Sequence, residues 1–145
     1  MSLPTPVAGL VINYSYLWRH EHLRGFDEGS KNRPAAVVLV LVKGLQLHVT
    51  VLGITHTPPR DPADAVSLPP SAKKSLGLDD QPSWIVTTEA NTFTWPGHDL
   101  RPRNPGDLAS VALGYLPEEV MIKLRHRVAR HAALGQMRVI RRTEG

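Results

Sequence analysis

The sequence predicts a mainly β protein, a small barrel of five or six short strands with one C-terminal α-helix. Thirteen prolines and eleven glycines divide the 145 residues into short segments, which favours strands over long helices. Several segments are rich in β-branched residues, and a single amphipathic helical pattern lies near the C-terminus. A chain of this length buries roughly two-thirds of its unfolded surface. We therefore expect one domain over residues 1–145.

The composition is that of a globular protein, with 41% hydrophobic and 21% charged residues. It excludes wholesale disorder, collagen and coiled coil. The chain has no cysteine, which excludes disulfide scaffolds, thiolate zinc sites and cysteine nucleophiles. The longest apolar run, residues 35–42, is too short to span a bilayer, and the first six residues lack the features of a signal peptide. We expect a cytoplasmic protein without a membrane segment.

Alternation and residue type predict the strands in order along the chain. Residues 35–42 form a near-continuous apolar run, typical of a strand buried on both faces, and Lys43-Gly44 turns it into a hairpin with the next strand. Residues 19–32 are charged and contain glycine, which indicates a long loop of the functional or mobile kind. Residues 89–91 separate the last two strands, and residues 96–106 are loop. The predicted strands are 10–18, 35–42, 46–55, 65–68, 83–88 and 92–95.

The helical signals lie at two places. Residues 71–76 indicate one helical turn that ends at Gly77. A longer helix begins at Pro117, carries two glutamates in its first turn, and ends at Gly135. Its buried stripe recurs every four residues, at Val120, Leu124 and Val128. Residues 135–145 form a basic tail, in which the segment from residue 138 is either a last strand or disordered.

The positive charge is concentrated at the C-terminus. Residues 1–120 carry 10 basic and 12 acidic residues, whereas residues 121–145 carry 7 basic and 1 acidic. Since the apolar stripe of the helix packs on the barrel, we expect the arginines of this segment to face outward. Such a surface suits an anionic partner such as RNA or an acidic protein segment, or else serves only for solubility.

The common catalytic and metal motifs are missing from the sequence. It contains no nucleophile elbow, no phosphate-binding glycine loop and no dinucleotide fingerprint. None of the seven histidines has the spacing of a metal site, so we predict neither metal nor cofactor. Three adjacent carboxylate pairs are typical of solvated surface or helix caps. These pairs are Asp27-Glu28, Asp79-Asp80 and Glu118-Glu119.

The informative residues lie at the ends of the two central strands. Lys31, Asn32 and Arg33 precede the apolar strand, and Pro34 restricts the backbone at its entry. An arginine held there by a rigid element can bind a phosphate with both arms of its guanidinium. Thr55 ends the partner strand, with His56 and Thr57 beside it. We therefore expect a hydroxyl and an imidazole within reach of Arg33.

These stretches resemble the MazF/PemK-like toxins of type II toxin–antitoxin systems. The resemblance extends over roughly residues 7–134. It rests on the order of short motifs: Gly9 before the first strand, Arg33-Pro34 before an apolar strand, and Ile54-Thr55 at the end of its partner. Residues 76–79 (Leu-Gly-Leu-Asp) and 83–86 (Ser-Trp-Ile-Val) follow, and then the C-terminal helix.

The resemblance implies an SH3-like β-barrel that dimerises, pairs with a cognate antitoxin and cleaves single-stranded RNA without metal. Position by position, it places the catalytic arginine at Arg33 and the catalytic threonine at Thr55. His56 is a further candidate acid or base because histidine is the side chain most often used for proton transfer in catalysis. The segment equivalent to the family's base-contacting residues contains Glu89, whose carboxylate either repels phosphate or accepts a hydrogen bond from a cytosine amino group. The predicted RNA-binding residues are Lys31, Asn32, Thr57, Glu89 and Asn91.

The expected reaction uses the 2′-hydroxyl of the substrate as nucleophile, with Arg33 stabilising the charged transition state and Thr55 positioning the phosphate or the hydroxyl. Trp18, Trp84 and Trp95 either stack on unpaired bases or pack in the core. Two other functions fit the same sequence. One is a barrel that binds a protein target, as the gyrase-poisoning relatives of this fold do, and the other is a nucleic-acid-binding module without hydrolysis.

Overall fold

The computed structural model describes residues 2–26, 29 and 31–142. Within these residues the chain forms eight strands and three α-helices. The mainly β prediction is confirmed, and the strands form one largely antiparallel, barrel-like sheet. The strands are β1 (Leu10–Tyr14), β2 (Arg33–Lys43), β3 (Gln46–Thr55), β4 (Ala65–Ser67), β5 (Trp84–Val86), β6 (Glu89–Trp95), β7 (Ala112–Tyr115) and β8 (Arg138–Arg141). The helices are α1 (Arg19–Leu23), α2 (Pro70–Ser75) and α3 (Glu118–Ala133).

The sheet runs in the order β4-β5-β3-β2-β1-β7. The long strand β3 pairs with β2 along one edge and shares its other edge between two partners. Its first half pairs with β6, from Leu47 to Val51, and its end pairs with β5. β8 adds to β6 in parallel. The end of β3, at Ile54 and Thr55, therefore has a different neighbour from its first half.

Both faces of the central strands are buried, since alternate residues enter two apolar clusters. On β2, Ala36 faces the cluster that contains α3, while Ala35 and Val37 face the cluster that contains Phe93. The prediction of a strand buried on both faces holds only to Val37, because Val38 and Val40 are only partly buried against the two clusters and the other residues in the second half of β2 are exposed. Its exposed apolar side chains are Leu39, Leu41 and Val42.

The helix α3 lies as predicted. Val120 and Leu124 are buried and Val128 packs against them. Gly135 follows the helix with a φ of 67°, and Gly77 follows α2 with a φ of 69°. Such positive φ angles favour glycine at the C′ position.

Four element predictions need correction. The first strand ends at Tyr14 rather than at residue 18, and the predicted loop 19–32 contains α1. Residues 89–91 belong to β6 and do not separate two strands, and β7 was not predicted. At the end of β1 a partner distant in sequence decides the local structure. Ser15 N donates to Asp99 O at 2.8 Å, which takes the backbone after β1 away from the sheet. Residues 138–141 form a strand, which settles the alternative left open for the tail.

Candidate active site at the ends of strands β2 and β3

Arg33 and Thr55 meet at one edge of the sheet. Arg33 is the first residue of β2 and Thr55 is the last residue of β3. The two strands are antiparallel with Ala35 opposite Gly53, and the same register continued by two residues places Arg33 opposite Thr55. Side chains in such pairs lie close together on one face of a sheet. Both residues also line the same two clefts, which therefore join at this pair.

Trp18 supports the guanidinium of Arg33. The Cζ atom of Arg33 lies 5.5 Å from the centre of the Trp18 ring, in the range of a cation–π contact. Arg33 is half-buried, and among the described residues no carboxylate lies within ion-pair distance of it. Its positive charge therefore remains available to an anionic ligand.

Gly53 leaves the space that Trp18 fills. A Cβ atom at Gly53 would lie 2.6 Å from Cη2 of Trp18 and 2.9 Å from Cε2 of Tyr16. The Tyr16 and Trp18 rings pack edge to face, with centroids 4.6 Å apart. Burial raises the pKa of Tyr16 well above its ordinary value, so this residue stays neutral. Trp18, which packs against Tyr16 and Gly53, is therefore the aromatic support of Arg33.

The first cleft, which we call the small cleft, has a volume of about 190 Å³. Lys31, Asn32 and Arg33 form one side of it, and Thr55 and His56 form part of the other. The Thr55 hydroxyl oxygen accepts a hydrogen bond from Thr57 N at 3.1 Å. Since a hydroxyl also carries one donor hydrogen, Thr55 can still donate to a ligand oxygen in the cleft.

His56 belongs to a charged cluster at the same cleft. Its Nε2 atom lies 2.8 Å from Oδ2 of Asp79, and Lys73 Nζ lies 2.7 Å from Oδ1 of the same carboxylate. The hydrogen bonds from Lys73 and then from His56 lower the pKa of Asp79 to about 2, so it is ionised at neutral pH. Asp79 is exposed, as expected of a solvated carboxylate, and in addition it contacts both Lys73 and His56.

The second cleft, which we call the large cleft, has a volume of about 510 Å³. Arg33 and Thr55 form its boundary with the small cleft, and Trp18, Thr57 and Glu89 also line it. The Oε1 atom of Glu89 accepts from Arg19 N at 2.9 Å, at the start of α1. Burial raises the pKa of Glu89, and the bond from Arg19 opposes part of this rise.

Asn91 does not lie in either cleft. It is fully buried, and its side chain binds both backbone groups of Leu17. Its Oδ1 atom accepts from Leu17 N at 2.9 Å and from Arg142 Nη1 at 2.9 Å, while its Nδ2 atom donates to Leu17 O at 2.8 Å. Asn91 therefore holds the segment before α1 to β6, and the interpretation of this residue as RNA-binding is corrected to a structural role.

Arg142 also departs from the prediction, which placed the C-terminal arginines outward. Its side chain is 1% exposed and forms an ion pair with Asp99, with Nη2 at 3.0 Å from Oδ2. It also donates to Ser15 O at 2.7 Å and lies over the Tyr14 ring at 5.3 Å. Arg138 and Arg141 are exposed, as predicted. Arg142 thus contributes to the core and not to a basic surface.

The sequence-predicted site residues divide into three groups by position. Arg33, Thr55, His56, Lys31 and Asn32 line the small cleft, whereas Thr57 and Glu89 line the large one. Only Asn91 lies away from both. Sequence reasoning missed Lys73 and Asp79, because 23 residues separate Asp79 from His56 and no local pattern joins them. The one available signal was the motif of residues 76–79, which ends at Asp79.

Metal-ligating side chains do not converge in the described part of the chain, where no group of three histidine or acidic residues has metal-binding geometry. His131, for example, is buried and engaged by Gln136 Oε1 and Ala63 O, each at 2.9 Å. Over the same residues, no helix has the length and apolar character needed to cross a membrane.

Comparison with known proteins adds no relative. No protein-family model matches the chain, and neither a curated protein nor a solved structure matches it. The function must therefore be argued from the residues of the two clefts.

Proposed function

We propose that this protein is an endoribonuclease that cleaves single-stranded RNA by attack of the substrate's own 2′-hydroxyl, without a metal, as a toxin of the MazF/PemK type. The observation that carries the proposal is the placement of Arg33 opposite Thr55 where two clefts join. A permanent positive charge and a hydroxyl donor then line the same clefts, which suits the binding of a scissile phosphate.

The two residues have different roles in this reaction. The guanidinium of Arg33 binds the non-bridging phosphate oxygens and stabilises the charge that accumulates on them in the transition state. The support from Trp18 fixes this group before the substrate arrives, so that little reorganisation is needed during the reaction. Thr55, half-buried at the end of β3, donates its hydroxyl hydrogen to the phosphate or orients the 2′-hydroxyl.

The two clefts provide binding positions on each side of the phosphate. Lys31 and Asn32 are exposed beside the small cleft and suit contacts to the RNA backbone. Thr57 and Glu89 lie in the large cleft, where a nucleotide can pack beside Trp18. The Glu89 carboxylate is half-buried and suits a base that presents an exocyclic amino group, as cytosine does.

The proposed partners follow from the charge and the exposed apolar surface. Helix α3 and β8 carry exposed basic residues, which suit RNA or an acidic segment of a cognate antitoxin. The apolar side chains of the β2–β3 hairpin, including Leu45 at its turn, are exposed, as expected of a surface that a second copy of the chain covers. We propose a cytoplasmic homodimer.

The test is incubation of the purified protein with a mixed RNA in the presence of a chelator. We expect fragments with a 2′,3′-cyclic phosphate, or its opened 3′-phosphate, and a 5′-hydroxyl. Fragments with a 5′-phosphate, or activity that the chelator abolishes, would contradict the proposed chemistry. RNA binding without cleavage would favour the non-hydrolytic nucleic-acid module, and the absence of both would favour a barrel that binds a protein target.

A further inference from the structure

A cluster of three hydrogen-bonded side chains lies at the small cleft in addition to Arg33 and Thr55. Lys73 comes from α2, Asp79 follows that helix, and His56 follows β3. Lys73 is a buried lysine, 3% exposed, and its ammonium group donates to the Asp79 carboxylate and to Gln81 O. A buried lysine is expensive unless it is paired, so this ion pair fixes where the carboxylate lies.

The two oxygens of Asp79 are used differently. Oδ1 accepts from Lys73 Nζ at 2.7 Å and from Gln81 N at 3.1 Å. Nε2 of His56 contacts both oxygens, at 2.8 Å from Oδ2 and 3.1 Å from Oδ1, so Oδ2 is its nearer partner. Since an ionised carboxylate only accepts hydrogen bonds, the Nε2 atom of His56 must carry a hydrogen. In the neutral ring the other nitrogen, Nδ1, then has the free lone pair.

The His56 ring is available to a substrate. Its side chain is 53% exposed, it lines the small cleft with Arg33 and Thr55, and Nδ1 has no hydrogen-bond partner among the described residues. The cleft also contains Lys31, Arg33, Lys73 and Asp79. Asp79 is too weak a base, because hydrogen bonds lower its pKa to about 2. Lysine and arginine side chains as residue types are donors without an acceptor.

On the basis of the proposed ribonuclease function, we propose that His56 is the general base and that Asp79, fixed by Lys73, is its positioning residue. The 2′-hydroxyl of the substrate loses its proton to Nδ1 of His56 as its oxygen forms a bond to phosphorus. The bond from phosphorus to the 5′-oxygen breaks, and the leaving oxygen takes a proton from water or from the protonated His56. The products are a 2′,3′-cyclic phosphate and a 5′-hydroxyl, and the charge on the phosphodiester is conserved.

The substitution Asp79→Asn tests the positioning role directly. The amide oxygen of asparagine stays with Lys73 and Gln81 N, both of which are donors, so the amide nitrogen faces His56. An amide nitrogen donates. Because it would replace the carboxylate oxygen nearest to Nε2, it would favour the hydrogen of His56 on Nδ1 rather than on Nε2. Asp80→Asn is the matched control. It removes the same charge at the neighbouring position, where the Asp80 side chain is exposed.

The tautomer can be measured by ¹⁵N NMR of the imidazole ring in the full chain without RNA. We expect the Nε2–H tautomer in the wild type and in Asp80→Asn, and the Nδ1–H tautomer in Asp79→Asn. An unchanged tautomer in Asp79→Asn would overturn the positioning role. This measurement is independent of catalysis, so it tests the role of Asp79 even if the wild type cleaves no RNA. A wild type that cleaves no RNA would contradict the proposed function instead.

Kinetics test the role of His56 itself. General-base catalysis contributes about 10²- to 10⁴-fold to a rate, and we expect losses in this range in kcat for His56→Ala, with KM little changed. Asp79→Asn alone should lower kcat at least tenfold. When it is added to His56→Ala, it should cause no further loss in kcat. A normal kcat for His56→Ala would overturn the general-base assignment, and additive losses would show that Asp79 acts through another residue. Thermal melting of each variant checks that it is folded.

Discussion

The guanidinium of Arg33 lies over the ring of Trp18, with 5.5 Å between Cζ and the ring centre. The two residues are 15 positions apart, and the connecting segment includes α1 and the charged residues that follow it. The contact brings a cation to the end of the sheet without neutralising it. A carboxylate in the place of Trp18 would hold the arginine equally well, but it would compete with a phosphate for the same charge.

Arg33→Ala should abolish most of the proposed ribonuclease activity and leave the fold intact. Loss of one positioned transition-state contact costs about 3 kcal/mol, or 10²- to 10³-fold in rate. Thr55→Ala should cost less, because it removes a neutral hydrogen bond, and Thr55→Ser should restore part of the loss. Arg24→Ala is the matched control, since Arg24 is exposed and lines neither cleft. Cleavage by Arg33→Ala at close to the wild-type rate would contradict the assignment.

Asn91→Ala should destabilise the protein by about 3 kcal/mol, because it leaves the buried N–H and C=O groups of Leu17 without partners and removes an acceptor of Arg142. Urea unfolding measures the change. Asn104→Ala, at an exposed position, should have almost no effect. An Asn91→Ala protein as stable as the wild type, but impaired in RNA binding, would restore the original prediction that Asn91 contacts RNA.

Glu89→Gln should stabilise the protein at neutral pH. Because burial raises the pKa of Glu89, the carboxylate is less favourable in the folded than in the unfolded state above that pKa. Glutamine avoids this cost and keeps an acceptor for Arg19 N. As the pH falls toward 4, Glu89 takes up its proton, the wild type gains stability, and the difference between the two proteins should narrow. Thermal melting from pH 8 to pH 4 measures it, and a constant difference would argue against a raised pKa.

The double substitution Arg138→Gln and Arg141→Gln should weaken RNA binding and flatten its salt dependence. If each arginine contacts one phosphate, the logarithmic salt slope falls by ~1.4 in total for single-stranded RNA. The cleavage sequence should stay the same, since these contacts are to phosphates and not to bases. An unchanged affinity and slope would reduce this surface to a solubilising role. Arg142→Gln should instead lower stability, because Arg142 is buried against Asp99.

The protein should be a homodimer at micromolar concentration by light scattering. In a two-fold dimer the same apolar patch is used by both copies, and the exposed side chains of the β2–β3 hairpin provide one. Leu41→Glu combined with Val42→Glu should dissociate it, whereas Leu23→Glu, at an exposed leucine outside the hairpin, should not. A monomeric wild type would contradict the prediction.

Local sequence patterns were sufficient to predict the central hairpin, the long helix and the candidate site residues at the strand ends. Residues 35–42 and 46–55 show the β-branched composition and turn of a hairpin, and antiparallel pairing then brings Arg33 and Thr55 together. The four-residue spacing of Val120, Leu124 and Val128 likewise predicts the buried face of α3. These features depend on backbone propensity and side-chain periodicity, which neighbouring residues determine.

Only the tertiary structure decided which polar residues are structural and which face the clefts. Asn91 and Arg142 are residue types that usually lie at the surface, yet both are buried in the core. Asn91 is hydrogen-bonded to Leu17, and Arg142 is bonded to Ser15 and Asp99. Asp79 shows the reverse case. In the sequence it belongs to an ordinary acidic pair, but in the structure it contacts His56 and Lys73 at the small cleft. Hydrogen bonds and ion pairs between residues distant in the chain leave no periodic trace in the sequence, so the assembled fold alone reveals them.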